Sequence, residues 1–321
     1  MYHVRETMDI WPAFDLIDDQ KEALVRVVPA RGGLVSVWEV QGQSLLYLDR
    51  ETYGDPQKNV RGGIPILFPI CGRLSDDKYT HNGKVYHMPQ HGLARRMPWS
   101  VQSTATENGA TLRLFLESDE QTKASFPFDF RLEFEYRLIG DELVIAQAYY
   151  NNSQEPMPLY PGLHPYFAAA NKELWQLRVP AECCHDLLTG ELRDVSEAPD
   201  WEAVEQNFIY SGLSSGWSGQ FAALHRNDGT AISIGYSREF RRLVFWTLGS
   251  QPFICLEPCV AAGDLLGKVA FGADDAASVG STAAARAHAS TIDRGAPLWL
   301  VPGSHIDLNV RCIFHHDGRK P

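Results

Sequence analysis

Residues 131–138 alternate charged and apolar side chains without interruption, with arginine or glutamate at every odd position. The even positions hold Leu132, Phe134, Tyr136 and Leu138. Because successive side chains of a β-strand point to opposite faces, this pattern predicts a strand with one face in the core and the other in water. A sheet with one hydrated face is typical of antiparallel structure.

Other parts of the chain show the same alternation, so strands are predicted to dominate. A strand at 142–150 follows across Gly140-Asp141, and strands at 34–40 and 44–48 are joined by residues 41–43, both in the manner of hairpins. Further strands are predicted at 23–28, 111–117, 221–226, 231–236, 243–248 and 306–314. Short helices are predicted only at 119–124 and within 200–206. Many short strands, without alternation of strands and helices, predict an all-β protein built as a sandwich or barrel.

No change in composition divides the chain, so a single domain over residues 1–321 is predicted. The segment 261–296 differs from the rest, because it is rich in alanine, glycine, serine and aspartate. Gly272, Gly280 and Gly295 would interrupt a helix there. The composition predicts a long surface loop or a mobile insertion.

Charge and cysteine content exclude several classes of protein. The formal net charge of −11 disfavours nucleic-acid binding, although a pocket can be locally basic and accept an anionic substrate. Six cysteines are too sparse for a disulfide scaffold and predict free thiols in a reducing cytoplasm. The first twenty residues hold no apolar run of signal-peptide length, and no stretch approaches the roughly 18 apolar residues of a membrane helix. We therefore expect a cytoplasmic protein without membrane partners.

Two segments carry candidates for proton transfer. His164 stands between Pro161 and Pro165, with the aromatic Tyr166 behind it, so its ring is held in place as a proton donor would be. A packed turn histidine is the alternative. Glu257 ends an apolar run where a strand is expected to stop at a proline, and a carboxylate there is unfavourable unless it is paired or at work. A glutamate that reaches water from a sheet edge is the alternative.

Two further segments would serve as pocket walls. Residues 61–74 combine prolines, glycines and large apolar side chains with Arg61 and Arg73 at the ends, and residues 89–99 place His91 before a glycine. A loop that covers the core and leaves both arginines solvated is the alternative for the former.

Cofactor and metal motifs are absent from the sequence. His87 and His91 are four apart, but Pro89 between them prevents the helix that such a zinc pair needs. The chain also lacks a serine elbow, a phosphate-binding loop and a dinucleotide fingerprint. A histidine and a carboxylate without nucleophile, metal or cofactor indicate plain proton transfer.

Taken in chain order, these segments resemble the aldose 1-epimerase (galactose mutarotase) family. The resemblance rests on Arg73, on His91 before glycine, on Gly-x-His-Pro-x-Phe around His164 and on Cys-x-Glu-Pro around Glu257. It extends from about residue 24 to residue 314. Residues 68–74, Asn82-Gly83 and 89–95 are especially similar to the branch that includes the LacX-type proteins.

The resemblance implies a large antiparallel β-supersandwich with few short helices and no cofactor. It implies that Glu257 is the general base and His164 the general acid in opening a sugar hemiacetal, and that Arg73 and His91 bind the sugar. The aromatic surface of Tyr166 would pack against the sugar ring. Histidine suits this chemistry at its ordinary pKa, and a partly desolvated glutamate can approach the same value.

Two features mix the patterns of different branches. Residues 61–65 resemble the start of the hexose-6-phosphate mutarotase branch, in which Arg61 would bind an anionic sugar, with Arg95 or Arg96 as further phosphate ligands. An aspartate that binds sugar hydroxyls in many relatives is missing from 205–210, where Asn207 is the candidate replacement.

The substrate therefore has several interpretations. A free aldohexose is favoured, because Arg61 could pair with one of the 40 acidic residues instead of a phosphate. A hexose-6-phosphate epimerase and a non-catalytic sugar-binding protein remain alternatives. We expect a small sugar as the partner, and a monomer or homodimer.

Overall fold

The computed structural model describes residues 1–214, 222–266 and 292–316. The strands in these ranges are β1 (Tyr2–Met8), β2 (Pro12–Asp18), β3 (Ala23–Val28), β4 (Leu34–Val40), β5 (Gln43–Ser44), β6 (Ile66–Leu67), β7 (Lys78–His81), β8 (Lys84–His87), β9 (Ser100–Ala105), β10 (Ala110–Glu117), β11 (Phe130–Ile139), β12 (Glu142–Asn151), β13 (Met157–Leu159), β14 (Gly162–Leu163), β15 (Tyr166–Ala168), β16 (Trp175–Arg178), β17 (Cys183–Asp186), β18 (Leu192–Arg193), β19 (Glu205–Ser211), β20 (Ala222–Arg226), β21 (Ala231–Tyr236), β22 (Arg242–Leu248), β23 (Phe253–Cys259), β24 (Leu298–Leu300) and β25 (His305–His315). The α-helices of this part of the chain are α1 (Arg50–Gly54) and α2 (Glu120–Lys123). Short 3₁₀ turns lie at Pro29–Arg31, Ser75–Asp77, Ala94–Arg96 and Lys172–Leu174.

Three large antiparallel sheets contain most of these strands. The N-terminal sheet is a meander in the order β1-β2-β3-β4-β5. The second sheet has the order β16-β20-β21-β25-β12-β11-β10-β9. The third has the order β18-β17-β19-β22-β23-β14-β6, and β15 also pairs with β23. Two small ladders, β7-β8 and β13-β24, complete the arrangement, and the predicted all-β class is confirmed.

The alternating stretch that predicted a half-buried strand forms β11. Its burial pattern alternates strictly, and Phe134 and Leu138 are among its core residues at 1% exposure or less. One continuous apolar cluster joins these side chains to Trp38 of the first sheet and Phe245 of the third. Full burial of each such side chain stabilises the fold by roughly 1.5–3 kcal/mol. The three sheets are therefore a packed support for the segments that connect them.

Turn and cap chemistry agrees with several predicted elements. The β4–β5 hairpin turns at Gln41 and Gly42, whose φ values of 51° and 73° match the two left-handed positions of a type I′ turn. The predicted helix at 119–124 is α2, which begins with a reciprocal capping box between Asp119 and Thr122.

Two predicted elements are wrong in part. The strand expected at 44–48 ends at Ser44, and the chain then makes isolated bridges from Leu46 to Phe167 and from Leu48 to Gly62. The helix expected within 200–206 does not form. The side-chain amide of Gln206 hydrogen-bonds both the N–H and the carbonyl of Asp200, which closes a turn, and the chain then pairs with β22 as β19.

β23 does not stop at Pro258 as expected, but continues to Cys259. Pro258 pairs in register with Leu243 of β22. On its other side β23 pairs with β15 and β14, and Pro258 lies between the residues that make those pairs. Proline has no N–H to donate, but the ladder with β14 and β15 is interrupted at this position. The proline therefore costs this ladder no hydrogen bond.

The expected loop at 261–296 falls largely on 267–291, which lie outside the described residues. Its beginning is not a surface loop, because Ala261, Ala262 and Leu266 are at most 5% exposed. These residues pack beside the segment around Cys71, where Gly263 N–H donates to the Cys71 carbonyl at 2.9 Å.

Candidate active site

The segment that crosses β23 carries the predicted proton donor. Gly162 pairs with Cys259 and Tyr166 pairs with Cys255, in one common antiparallel register. That register places His164 directly opposite Glu257. Side chains opposite each other in an antiparallel pair lie on the same face with their Cβ atoms roughly 4.5–5.5 Å apart. The spacing within the two motifs thus brings the histidine and the glutamate together.

Backbone contacts on the other side hold this segment in place. His164 N–H donates to the Pro65 carbonyl at 3.1 Å, and Tyr166 N–H donates to the Gly63 carbonyl at 2.9 Å. The residues that follow Arg61 in the sequence are therefore a backbone support for His164. The proline-rich and glycine-rich composition of that segment allows this close, irregular pairing.

His164 and Glu257 form a buried pair. The distance from His164 Nε2 to Glu257 Oε1 is 3.3 Å, and the residues are 6% and 3% exposed. Burial, with a contribution from the nearby Arg95 charge, lowers the pKa of His164 to about 3. Burial also raises the pKa of Glu257 well above 4.5, although the Arg95 charge opposes that change. Both shifts favour the neutral form of the group, and the low pKa of His164 corrects the expectation that this histidine keeps its ordinary pKa.

His91 is fixed through the backbone of Gly72. Gly72 N–H donates to His91 Nδ1 at 3.0 Å, and His91 N–H donates to the Gly72 carbonyl at 2.7 Å. The first of these bonds requires an unprotonated Nδ1, so Nε2 carries the ring proton, and the Gln90 side-chain amide beside Nε2 then turns its oxygen toward the ring. The His91 ring lies 5.5 Å from the His164 ring at 74°. Burial holds the pKa of His91 well below its usual value, so the ring is a neutral donor beside the pair.

His91 has φ +63°, in the left-handed region that disfavours residues with a side chain. The next residue, Gly92, has φ +74°, and a Cβ there would lie 2.1 Å from the Phe68 carbonyl oxygen. The close approach of these two backbones explains the glycine that follows His91.

Aromatic rings form one wall beside the pair. The Tyr166 ring stacks on the His164 ring at 4.5 Å and 5°, and Trp246 stands at 89° to the histidine at 5.9 Å. Phe167 points into the core with 0% exposure and does not share in this wall. Asn207 lies opposite Trp246 in the β19–β22 register. Its Oδ1 is buried and has no hydrogen-bond partner among the described residues.

The three arginines considered as ligands differ in how far their guanidinium groups are already hydrogen-bonded. Arg73 is largely committed, since its guanidinium binds the Asp77 carboxylate at 2.8 and 2.7 Å. The Arg61 guanidinium makes no hydrogen bond or ion pair within the described ranges, although its charge acts on the phenol of Tyr166. Arg95 donates to the Gln90 carbonyl at 2.7 Å, and its Nε is buried without a described partner. Burial lowers the pKa of Arg95 to about 10, which leaves it a cation at neutral pH.

All seven residues predicted from the sequence line one pocket of about 610 Å³, which we call the central pocket. They are Arg61, Arg73, His91, His164, Tyr166, Asn207 and Glu257. The pocket also contains polar and aromatic residues that sequence reasoning missed or left secondary, namely Ser75, Gln90, Arg95, Glu205, Trp246 and Asp264. Trp246 could have been found from its place in a predicted strand, but Asp264 stands in the segment interpreted as a loop.

Two groups of residues around Glu257 have donor atoms close enough to hold a metal ion. They are Cys71 with Glu257 and Cys259, and His164 with Cys255 and Glu257. Burial raises the pKa values of Cys255 and Cys259 well above 9.0, so these thiols are protonated, and protonated thiols bind metals poorly. The side chains that could bind a metal ion therefore lie close together, but the protonated thiols disfavour metal binding.

The six cysteines are free, as predicted, and all except Cys183 are buried. No helix in the described part of the chain has the length and apolar character needed to cross a membrane.

A family model described as aldose 1-epimerase matches residues 15–270. The chain belongs to the aldose 1-epimerase family. This confirms the resemblance inferred from the motifs, because the match contains Arg73, His91, His164 and Glu257.

Two solved structures share the fold of this chain. The Slr1438 protein of Synechocystis sp. PCC 6803 is 34% identical with a TM-score of 0.83, over 98% of this chain and 99% of that protein. A galactose mutarotase related enzyme of Lactobacillus acidophilus is 19% identical with a TM-score of 0.73, over 98% of each chain, and shares the fold. The galactose mutarotase-like fold predicted from the motifs is therefore confirmed.

A curated protein of Escherichia coli (strain K12), named "Putative glucose-6-phosphate 1-epimerase", is 30% identical over 113 residues. Those residues are 34% of this chain and 34% of that protein, so the match spans about a third of the curated relative's length.

Proposed function

We propose that this member of the aldose 1-epimerase family is a mutarotase that interconverts the α and β anomers of an aldohexose by acid–base ring opening. The observation that carries the proposal is the buried His164–Glu257 pair, with its 3.3 Å contact inside the central pocket. The thiols of Cys255 and Cys259 near the pair are buried with raised pKa values, so they are poor nucleophiles, whereas His164 and Glu257 both line the pocket where a ligand would bind. Proton transfer to and from a bound sugar is the chemistry that this arrangement supports best.

The neutral pair needs one internal step before it acts in the predicted roles. Transfer of the Glu257 proton to His164 Nε2 gives a carboxylate and an imidazolium. Glu257 then accepts the proton of the anomeric hydroxyl while His164 donates to the ring oxygen, and the C1–O5 bond breaks to give the open-chain aldehyde. Rotation about C1–C2 presents the other carbonyl face, and closure reverses both proton transfers. The neutral His91 donor beside the pair would bind a sugar oxygen through Nε2, in place of the Gln90 amide that lies 3.3 Å from it.

We further propose that the substrate carries a 6-phosphate. The sequence favoured a free sugar because Arg61 could have an acidic partner, but within the described residues its guanidinium has none. Arg61 and Arg95 both act electrostatically on Tyr166, so two cations face the same part of the pocket. An arginine without a carboxylate partner is suited to a phosphate, which it can bind through two parallel hydrogen bonds. The name of the Escherichia coli relative is consistent with this substrate.

Exchange between anomers, measured by proton NMR, tests the proposal. Glucose, galactose and their 6-phosphates are compared with the wild-type protein and with Arg61→Ala. We expect the variant to raise KM for the 6-phosphates about tenfold or more and to spare the free sugars, because one charge-assisted contact is lost. Arg178→Ala, which removes an exposed arginine away from the pocket, is the matched control.

Three results separate the alternatives. Equal effects of Arg61→Ala on free and phosphorylated sugars would restore the free aldohexose as the substrate. Binding without any exchange would indicate a non-catalytic sugar-binding protein. We propose that neither metal nor cofactor takes part in the reaction. Treatment with a chelator should therefore leave the exchange rate unchanged. A stoichiometric metal in the purified protein, with activity lost when that metal is removed, would contradict this.

A further inference from the structure

One carboxylate of the central pocket takes no part in the proposed chemistry. Asp264 Oδ2 accepts a hydrogen bond from Ser75 Oγ at 2.6 Å, and both residues line the pocket. Its Oδ1 is buried and has no hydrogen-bond partner in the described parts of the chain. A buried acceptor without a donor is unfavourable until a donor reaches it. A sugar hydroxyl is such a donor.

The backbone fixes where this carboxylate stands. Gly263 N–H donates to the Cys71 carbonyl at 2.9 Å, and Tyr160 Oη donates to the Gly263 carbonyl at 3.0 Å. A Cβ on Gly72 would lie 2.7 Å from Gly263 N, so the two backbones are in close contact. Asp264 is therefore attached to the same short segment that holds His91. Attachment to ordered backbone gives a binding residue the precise placement that recognition needs.

The register of β23 gives the position of Asp264 relative to the catalytic pair. Tyr166 is opposite Cys255 at one end of the face, and Cys259 is at the other end, with the pair between them. Cys259 Sγ is 2.6 Å from Cys71 Sγ, and the Cys71 carbonyl holds the residue before Asp264. Asp264 thus belongs to the Cys259 end of the face.

Arg61 belongs to the opposite end. Its charge acts on the phenols of Tyr47 and Tyr166. The Tyr47 ring packs on Phe253 at 5.2 Å, beyond Cys255 along β23. The order along the pocket is therefore Arg61, then the catalytic pair, then Asp264.

The atoms of an aldohexose ring have a matching order. The C6 substituent is attached beside the ring oxygen, C1 follows, and the hydroxyls of C2 and C3 lie beyond C1. With the reacting C1–O5 bond at the pair and a 6-phosphate at Arg61, C2 and C3 extend toward the Cys259 end. We propose that Asp264 binds the hydroxyl groups at C2 and C3, as a residue that selects the sugar rather than as an acid or base. This inference rests on the proposed function, since it uses the orientation given there.

Dissociation constants measured by calorimetry test the assignment separately from turnover. The ligands are glucose 6-phosphate and its 2-deoxy, 3-deoxy and 4-deoxy analogues, with the unphosphorylated series in parallel. Asp264→Ala should weaken binding of the parent sugar about tenfold or more, because a hydrogen bond to a charged acceptor is lost. For the 2-deoxy and for the 3-deoxy analogue the difference between the wild-type and variant constants should be smaller than for the parent sugar, since one of the two donors is already missing. For the 4-deoxy analogue the full difference should remain.

Two further variants support the test. Asp76→Asn removes a neighbouring exposed carboxylate that does not line the pocket, and it should leave every constant unchanged. Ser75→Ala removes the donor that orients Asp264 and should weaken binding less, with the same dependence on the C2 and C3 hydroxyls. This variant decides the question if Asp264→Ala does not fold.

Several outcomes would overturn the inference. These are unchanged binding in Asp264→Ala, a loss of the same size for every deoxy analogue, or a wild-type protein that binds none of these sugars. A wild-type protein that binds the parent sugar with the predicted hydroxyl dependence, but does not exchange its anomers, would uphold Asp264 and refute only the proposed reaction.

Discussion

Burial shifts the pKa values of the two side chains proposed to transfer protons. At 3% and 6% exposure, Glu257 and His164 each avoid charge, although their ordinary pKa values would make the glutamate an anion at pH 7. The pair therefore holds one proton that either residue can carry. The carboxylate becomes basic only when that proton moves across the 3.3 Å contact to the histidine.

Replacing Glu257 with glutamine preserves the shape of the side chain and removes its basicity. We expect kcat for anomer exchange to fall by roughly 10²-fold or more, the usual range for a general base. Saturation-transfer NMR on a folded variant measures this directly. Exchange at a near-normal rate would assign the base to another residue.

The same substitution should change how stability depends on pH. The folded-state pKa of Glu257 lies above its unfolded value, so the stabilisation exists at low pH and is lost as pH rises above about 4.5. Glutamine has no such loss. Relative to wild type, Glu257→Gln should therefore gain stability between pH 5 and pH 8, by at most about 1.4 kcal/mol per pH unit. Urea midpoints at the two pH values provide the measurement, and a constant difference would contradict a raised pKa.

The two pocket histidines should respond differently to substitution. His164→Gln should lower kcat strongly and leave sugar affinity similar, because the lost proton donor acts in the transition state. His91→Asn should weaken binding and rate together, since we propose that His91 donates a hydrogen bond to a sugar oxygen. Kd and kcat for both variants decide the matter, and a purely catalytic defect in His91→Asn would exchange the two roles.

For individual residues, the sequence predicted which side chains line the pocket better than it predicted their pKa values and hydrogen-bond partners. The motifs around His164 and Glu257 predicted both residues of the buried pair, but their pKa values depend on side chains distant in sequence, such as Arg95. Arg73 was predicted as a sugar ligand, yet Asp77 holds its guanidinium. Asp264 was missed because its neighbours are alanine and glycine, a composition shared by exposed loops.

Among the secondary-structure elements, the interrupted ladder on β23 matters most. The ladder pairs at Gly162 and again at Tyr166, and between them it leaves His164 and Glu257 facing each other. A proline follows each of these two residues. The residue before a proline prefers extended backbone, which suits both His164 and Glu257 to the stretch where this ladder is interrupted.

The turn at Gly92 offers a test with a matched control. Gly92 and Gly83 both have φ +74°, but a Cβ on Gly83 would meet nothing within 4 Å, whereas one on Gly92 would lie 2.1 Å from the Phe68 carbonyl oxygen. Gly83→Ala should cost about 1–2 kcal/mol of stability from backbone strain alone and keep activity. Gly92→Ala should destabilise the protein further and reduce anomer exchange, because His91 must move. Urea unfolding and NMR exchange measure both effects, and equal behaviour of the two variants would contradict the close backbone approach.

Alternation and turn residues predicted most strands of the larger sheets, since each such strand buries one face. These patterns gave wrong predictions where contacts with distant residues outweighed the local preference for a helix or for the end of a strand. The amide of Gln206 closes a turn in place of a helix, and Pro258 stays within a strand because its neighbour strand is interrupted there. β1 and β2 were missed as well, and β1 has mostly exposed or half-buried residues along its length.

For the whole molecule, the continuous core leads us to expect one cooperative unfolding unit. The apolar cluster includes Val25 of the first sheet, Leu112 of the second and Ile209 of the third, so no sheet can separate without exposing buried surface. Unfolding in urea, followed by tryptophan fluorescence and by far-ultraviolet circular dichroism, should give a single transition with the same midpoint. Two separated transitions would contradict the single domain predicted for residues 1–321.

Sequence patterns alone could not have predicted the assembly of the central pocket. Arg61, His91, Asn207 and Glu257 come from parts of the chain nearly 200 residues apart. Alternation and turn chemistry specify neighbours within a sheet, but not which connection covers which sheet. The family resemblance supplied that information, because it ties the motifs to one site without deriving their geometry.

The shared proton of the His164–Glu257 pair has a consequence for repeated turnover. In the proposed reaction, ring opening gives the pair one proton from the sugar and takes one away, and ring closure does the same in the opposite sense. No net proton is consumed, so the pair needs no resupply from solvent between cycles. A site that exchanges protons only with its substrate needs no proton pathway to bulk solvent, and it is in the same protonation state for either anomer at the start of each turnover.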